Sequence, residues 1–272
     1  MILTDLHVHT SPWLNGPGAF RSFVRTAIQR DIAILGLIEH GPPADPNSRY
    51  RGLHLDEIEN HIRSIEEVKE EFREFIQVFY GLELDYHPNS LETYRNLREK
   101  YPFDYFFAAV HSLDDWYLDD PESLKTSVHS KKTEEELYRL YYSQIAEAAK
   151  SGIFDGLAHI DYLRRSVPHP PSEPPDFSRE IFAEIAEIIA ANSIVVEVNT
   201  RGRVIPEMRE VYPTRPLMKC LARAGVRFSM GSDAHEEARL GEGLKEARGV
   251  LREENQEALT YFKRHQVWEV EL

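Results

Sequence analysis

Short apolar, β-branched or aromatic runs alternate with longer amphipathic segments along the chain. The strand-like runs begin near Ile2 (ILTDLHVH), Ile32 (IAILGLIEH), Ile76 (IQVFYGLELDY), Tyr105 (YFFAAVHSL), Gly156 (GLAHIDY), Ile194 (IVVEVNT) and Val226 (VRFSMGSDAH). Between them the spacing predicts helices near 19–30, 55–74, 89–100, 133–151, 178–192, 214–224 and 242–253. In the segment 178–192, Ser178 is placed to cap the N-terminus, and Ile181, Ile185, Ile188 and Ile189 recur at helical spacing. Thr133 followed by Glu134, Glu135 and Glu136 reads as a capped, acidic first turn. Seven strands, each followed by a helix, predict a parallel sheet with right-handed crossovers.

The polar residues that interrupt this pattern fall where each apolar run ends. The first run closes on His7 and His9, the second on Glu39 and His40, the third on Glu83 and Asp85, the fourth on His111. His159 and Asp161 close the fifth, Glu197 and Asn199 the sixth, Asp233 and His235 the seventh. In five of the seven the pair is spaced i, i+2, which puts both side chains on one face of a strand. In a parallel barrel such ends converge on one mouth, whereas an open sheet spreads them along a line. A barrel is therefore expected. Clustered carboxylates repel one another unless a cation lies between them, and imidazole and carboxylate are the usual ligands of divalent metals. There are too many donors for one tetrahedral ion, so two or three metals are inferred, with Glu83 as a bridge. Paired metals acidify a shared water and polarise the bond under attack, so the predicted chemistry is metal-assisted hydrolysis.

Each residue alone has a plainer explanation. A strand-end histidine is commonly a hydrogen-bonded structural residue, and Ser232 to His235 can form an Asx turn. Glu197 and Asn199 either cap a strand or join the metal site. The joint pattern favours the metal. Six of the 12 histidines occupy strand ends, while His54, His61, His87, His129, His169 and His265 fall on expected helices or loops and are read as surface residues. Asp85 and Asp161 are read as orienting the neighbouring imidazoles.

Composition narrows the range of partners. A chain of 272 residues, 42% of them hydrophobic, suffices for one large core, and α/β barrels use this length as a single domain. Acidic residues outnumber basic ones 46 to 32, and a net charge of −14 disfavours nucleic acid and anionic membranes. No run approaches the roughly 18 apolar residues of a membrane helix. Cys220 has no partner for an internal disulfide, and MILTDLHVHT lacks the basic start and apolar run of a secretion signal, so a cytoplasmic location is expected. The proline-rich stretches 41–54 and 166–177 are too long for plain connectors and are candidate site loops.

The motifs DLHVHT (5–10), IEHG (38–41), GLELDYHP (81–88), FDYFFAAVHSL (103–113), AHID (158–161), EVNT (197–200), VYP (211–213) and GSDAH (231–235) follow one another along nearly the whole chain. In that order they resemble the polymerase-and-histidinol-phosphatase (PHP) superfamily, and within it the histidinol-phosphate phosphatases. The resemblance implies a distorted (β/α)7 TIM-like barrel holding two or three divalent ions, zinc, manganese or iron. Position by position, it implies His7, His9, Glu83 and Asp233 around a first ion and Glu83, His111 and His159 around a second. Glu39, His40 and His235 would surround a third; Glu39 stands where many relatives have Asp, and Asn15 where a histidine is common.

The implied reaction is hydrolysis of L-histidinol phosphate, a small phosphate ester, in histidine biosynthesis. Arg164, Arg165, Arg201 and Arg203 are candidate phosphate clamps, because a guanidinium binds two oxygens at once. Trp116 and Asp119 match a stretch expected to meet the imidazole of histidinol, and Asp233, His235 or metal-bound water would protonate the leaving alkoxide. The alternatives are a PHP phosphoesterase acting on nucleotides or nucleic-acid ends, an amidohydrolase, and a metal-stabilised binding module without activity. An amidohydrolase typically bridges its metals with a modified lysine, and the corresponding position here is Glu83.

Overall fold

A computed structural model describes residues 3–10, 17–43, 52–167, 174–205 and 208–272. Asn15 and His169, and much of the two proline-rich stretches, lie outside the described residues. Seven strands form one sheet: β1 (Leu3–Val8), β2 (Ile32–His40), β3 (Gln77–Asp85), β4 (Tyr105–Ala109), β5 (Gly156–Leu157), β6 (Val195–Asn199) and β7 (Phe228–Gly231). They lie side by side in chain order, and every neighbouring pair is parallel. The sheet nearly closes into a barrel where β7 returns to β1. There the Asp233 N–H donates to the His7 carbonyl and the His9 N–H to the Ala234 carbonyl, both at 2.8 Å. The buried Asp5 carboxylate sews the same seam, accepting from the Ser232 N–H (2.8 Å), the Ser232 hydroxyl (2.6 Å) and the Gly241 N–H (3.0 Å).

The seven barrel helices follow the strands: α1 (Pro17–Gln29), α2 (Ile58–Phe72), α3 (Leu91–Lys100), α4 (Glu134–Lys150), α5 (Ser178–Ala191), α6 (Arg215–Arg223) and α7 (Leu244–Glu253). Strands buried on both faces read as continuous apolar runs, and β2 shows the division of labour. Leu35 and Leu37 pack outward among the helices, while Ile34 and Ile38 point inward beside Leu6, Phe79, Tyr105 and Phe107. Gly36 lies between those two inward residues. The Tyr105 hydroxyl crosses the interior to the Leu6 carbonyl (2.7 Å), and a Cβ on Gly36 would lie 2.2 Å from that oxygen.

The capping box at Thr133 is present, with the Thr133 hydroxyl accepting from Glu136 N–H and the Glu136 carboxylate accepting from Thr133 N–H. Ser178 is not a cap. Its N–H already donates to the Pro175 carbonyl, so it sits inside the first turn after Phe177 with its hydroxyl buried. The periodicity also gave no notice of a small ladder pairing Ser112–Leu113 with Trp116–Tyr117, or of a hairpin pairing Ala258–Lys263 with Gln266–Glu271. That hairpin closes the barrel floor. Phe262 stacks on Tyr105 (5.4 Å) and meets Phe107 edge-on (5.6 Å). The His265 N–H donates to the Asp104 carbonyl (2.7 Å) and its ring bonds Asp155 (2.8 Å), two residues that immediately precede β4 and β5. His265 is thus a half-buried anchor, and His61 and His129 are buried, so the surface reading fails for these three. His54 and His87 are exposed as expected.

His61 packs edge-on to Phe20 (5.3 Å) where α1 meets α2, and burial lowers its pKa to about 4. The folded state thus keeps the ring neutral, while the unfolded chain protonates near pH 6.5. This stability term is present above pH 6.5 and declines by about 3 kcal/mol as pH falls to about 4. His61→Leu should flatten that part of the pH–stability curve, read from urea midpoints; an unchanged slope would refute the assignment. Gly36→Ala should cost about 1–3 kcal/mol, and less in a Tyr105→Phe background, measured by chemical denaturation.

Candidate metal centre

The strand ends bring the predicted polar residues to one point. His7 and His9, two residues apart on one face of β1, have their Nε2 atoms 3.0 Å apart. Glu83, buried near the end of β3, is the hub. Its Oε2 lies 3.5 Å from His7 Nε2, 3.5 Å from His9 Nε2 and 2.9 Å from His40 Nδ1. Its Oε1 lies 2.6 Å from His159 Nε2 and 3.6 Å from His111 Nε2. Asp233 Oδ1 is 3.8 Å from His9 Nε2 and 3.4 Å from His235 Nδ1. The backbone is bent to achieve this: His159 (φ 26°) and Asp233 (φ 54°) both take left-handed conformations that side chains other than glycine rarely adopt.

Three groups have ligand atoms close enough to share an ion: His7, Glu83 and His159; His7, His9 and Asp233; and His9, His40 and His235. The third is completed by His9 and not, as expected, by Glu39. One Glu39 oxygen accepts from the Thr10 N–H (2.9 Å) and the Thr10 hydroxyl, and the other faces His9 Nδ1 at 4.0 Å. Asp85 holds His111 through Nδ1 (2.7 Å), in the orienting role expected of it. Asp161 does not orient an imidazole; it accepts from the Tyr142 hydroxyl and the Thr214 N–H. Glu197 and Asn199 do not join these groups: Glu197 bonds His7 Nδ1 (2.7 Å), and the Asn199 amide donates to Glu197 (3.0 Å) and Asp233 (3.3 Å), while its oxygen caps the strand end by accepting from the Arg201 N–H (2.9 Å).

The charges show what the cluster needs. Burial opposes ionisation of Glu83, but the imidazoles of His40, His7, His111 and His159 outweigh it and hold the carboxyl well below its usual range. Against the same burial, Glu197, Glu83 and Asp233 hold His7 well above its ordinary value, and Asp85 with Glu83 raises His111 to about 9. His9, buried and crowded by His40, His235 and His7, is pushed well below and stays neutral. Without an ion, protons on some of the rings balance the buried carboxylates, and a divalent cation would supply that positive charge in their place. Glu83 Oε2 is buried and, although His40 Nδ1 approaches it to 2.9 Å, has no well-aligned hydrogen bond among the described residues. Such a donor set suits zinc and similar divalent ions.

Above the cluster opens a cavity of about 260 Å³, lined by Asp119, Tyr162, Arg165 and Arg201 as well as the ligand candidates. Arg165 lies over the Tyr162 ring (5.1 Å) and donates to its hydroxyl (2.8 Å). Arg201 donates to the Asp233 carbonyl (2.9 Å) and lies 3.1 Å from His235 Nδ1. The other expected contacts point away from the mouth. Arg164 is buried against Glu210 (2.8 Å), Arg203 pairs with Glu246 (3.4 Å), and Trp116 is buried beside His129. Tyr162 and Thr10 drew no notice in the sequence, because both lie just past a strand end, where strand alternation no longer tells which way a side chain points.

Comparison with known proteins agrees with this geometry. The PHP domain family model matches residues 5–201. A probable histidinol-phosphatase of Deinococcus radiodurans is 30% identical over 254 residues, covering 91% of this chain and 94% of its own. The histidinol-phosphatase of Lactococcus lactis is 24% identical over 262 residues, covering 95% and 93%. A crystal structure of the Lactococcus lactis histidinol phosphate phosphatase, complexed with zinc, L-histidinol and phosphate, shares the fold with a TM-score of 0.80 at 22% identity, covering 98% of each chain. With the seven-stranded barrel and its histidine-rich mouth already in view, the match over residues 5–201 means that the chain belongs to the PHP domain family.

Proposed function

We propose that this protein hydrolyses L-histidinol phosphate to L-histidinol and inorganic phosphate. The observation that carries the reading is the mouth itself, where a buried carboxylate ringed by imidazoles faces Arg165 and Arg201 across a small cavity. The 30% identical relative is named a probable histidinol-phosphatase, and the Lactococcus lactis enzyme binds zinc, L-histidinol and phosphate, which supports the same substrate here.

His7, His9, Glu83 and Asp233 would hold one divalent ion, Glu83 with His111 and His159 a second, and His40 with His235 and the nearby His9 a third. Zinc, manganese or iron bound there supplies a neutralising charge for the ester and acidifies water. Arg165 and Arg201 bind the non-bridging phosphate oxygens, their planar forks fixing the group for in-line attack by water. The bond from phosphorus to the alcohol oxygen breaks, and Asp233, held ionised by the imidazoles around it, or His235 is placed to relay to the departing oxygen the proton given up by the attacking water. Asp119 at the rim receives the cationic end of the amino alcohol. A formal charge of −14 disfavours nucleic-acid ends as substrate, and no helix among the described residues is long and apolar enough to cross a membrane.

Turnover of histidinol phosphate measured against nucleotides and sugar phosphates tests the substrate; a clear preference for any other ester would overturn it. Glu83→Gln should lower kcat/KM at least about 100-fold and reduce bound zinc, with the circular dichroism spectrum unchanged. Chelation should abolish activity and zinc or manganese restore it, with about two to three ions per chain by elemental analysis. Arg165→Ala and Arg201→Ala should each raise KM about tenfold or more, whereas Arg203→Ala, which removes a pair with Glu246, should leave KM unchanged.

A further inference from the structure

Glu197 reaches a strand that is not its neighbour. It lies on β6, His7 lies on β1, and β7 runs between them. The side chain crosses at Gly231, where an added Cβ would lie 2.3 Å from Glu197 Oε1 and 2.3 Å from the His7 Cβ. The missing side chain is the corridor. Both ends of the contact are fully buried. Glu197 Oε1 meets His7 Nδ1 at 2.7 Å, and Oε2 accepts from the His159 N–H and the Asn199 amide, each at 3.0 Å. A carboxylate only accepts, so Nδ1 of His7 carries the hydrogen toward Glu197, and it is the Nε2 proton that His7 gives up to present a lone pair beside Glu83 and His9. The second oxygen pins the backbone of His159 in its left-handed conformation, and Asn199 carries the chain of bonds on to Asp233.

We propose that Glu197 is a positioning residue that sets zinc affinity by fixing the His7 tautomer and the placement of His159, through the gap left by Gly231. This rests on the metal-binding reading above. The amide of Glu197→Gln has nearly the same shape and tests the point. With its carbonyl toward His7, its NH2 would oppose two donors, the His159 N–H and the Asn199 amide. It therefore turns its NH2 to His7 Nδ1, which must then accept, and the imidazole hydrogen moves to Nε2, where it blocks the ion.

Zinc affinity by chelator competition on metal-depleted protein should fall about 10–100-fold in Glu197→Gln, with the thermal melt close to wild type. In parallel, ¹⁵N-histidine NMR of metal-depleted wild-type protein, followed upward in pH until the His7 ring is neutral, should report its remaining hydrogen on Nδ1. Wild-type zinc affinity in the folded variant, or a wild-type His7 with its hydrogen on Nε2, overturns the proposal. If the variant does not fold, the wild-type tautomer alone decides. Neither readout involves a phosphate ester, so failure of the substrate assignment is seen separately.

Discussion

The attraction between one buried carboxylate and the imidazoles around it organises this molecule. Glu83 has five histidine rings within 3.6 Å, contributed by strands β1, β2, β4 and β5 or the residues just after them. Protons answer that arrangement only in part: His7 and His111 are drawn toward the charged form while His9 is held neutral. If every ring were charged they would repel, and if none were, the buried carboxylates would be uncompensated. A divalent ion resolves both at once, since it offers two positive charges to neutral nitrogen lone pairs and ionised oxygens. The barrel is the device that makes such a gathering geometrically cheap, because seven parallel strands end at one rim.

Convergence alone would leave the rings free to turn, and the surrounding bonds remove that freedom. Asp85 holds His111, Glu197 holds His7, and Asn199 holds Asp233. The seam between β7 and β1 is fixed by Asp5 beneath them, whose buried carboxyl is pushed up to about 6 by desolvation and is kept in place by Ser232 and Gly241. The left-handed backbone at His159 and Asp233 is conformational strain held by these neighbours. Ligand placement and barrel closure therefore draw on the same residues.

Much of this was legible in the sequence, for a definable reason. Strand alternation and helical spacing are written in apolar residues, and all seven strands and seven barrel helices fall within a few positions of their expected places. The polar strand ends were legible because i, i+2 spacing fixes a shared face. Beyond the last strand residue that rule lapses. Arg164 and Arg165 are adjacent in a 3-10 turn, and nothing in their order tells that one turns inward to Glu210 and the other over Tyr162. Trp116 belongs to a ladder too short to give a period, and Glu39 is taken by Thr10, a contact between β2 and the residues after β1. The hairpin at 258–271 escaped notice because its turn residues, Arg264 and His265, adopt positive φ without the Asn-Gly signature that normally marks such a turn.

That hairpin has a consequence for traffic. By lodging Phe262 against Tyr105 and Phe107, it stoppers the end of the barrel opposite the histidines. Among the described residues, a hydrolase built this way is a well with a plugged floor. Incoming ester, water and both departing products share one doorway, and the fragment lying deepest must wait for the one above it to clear.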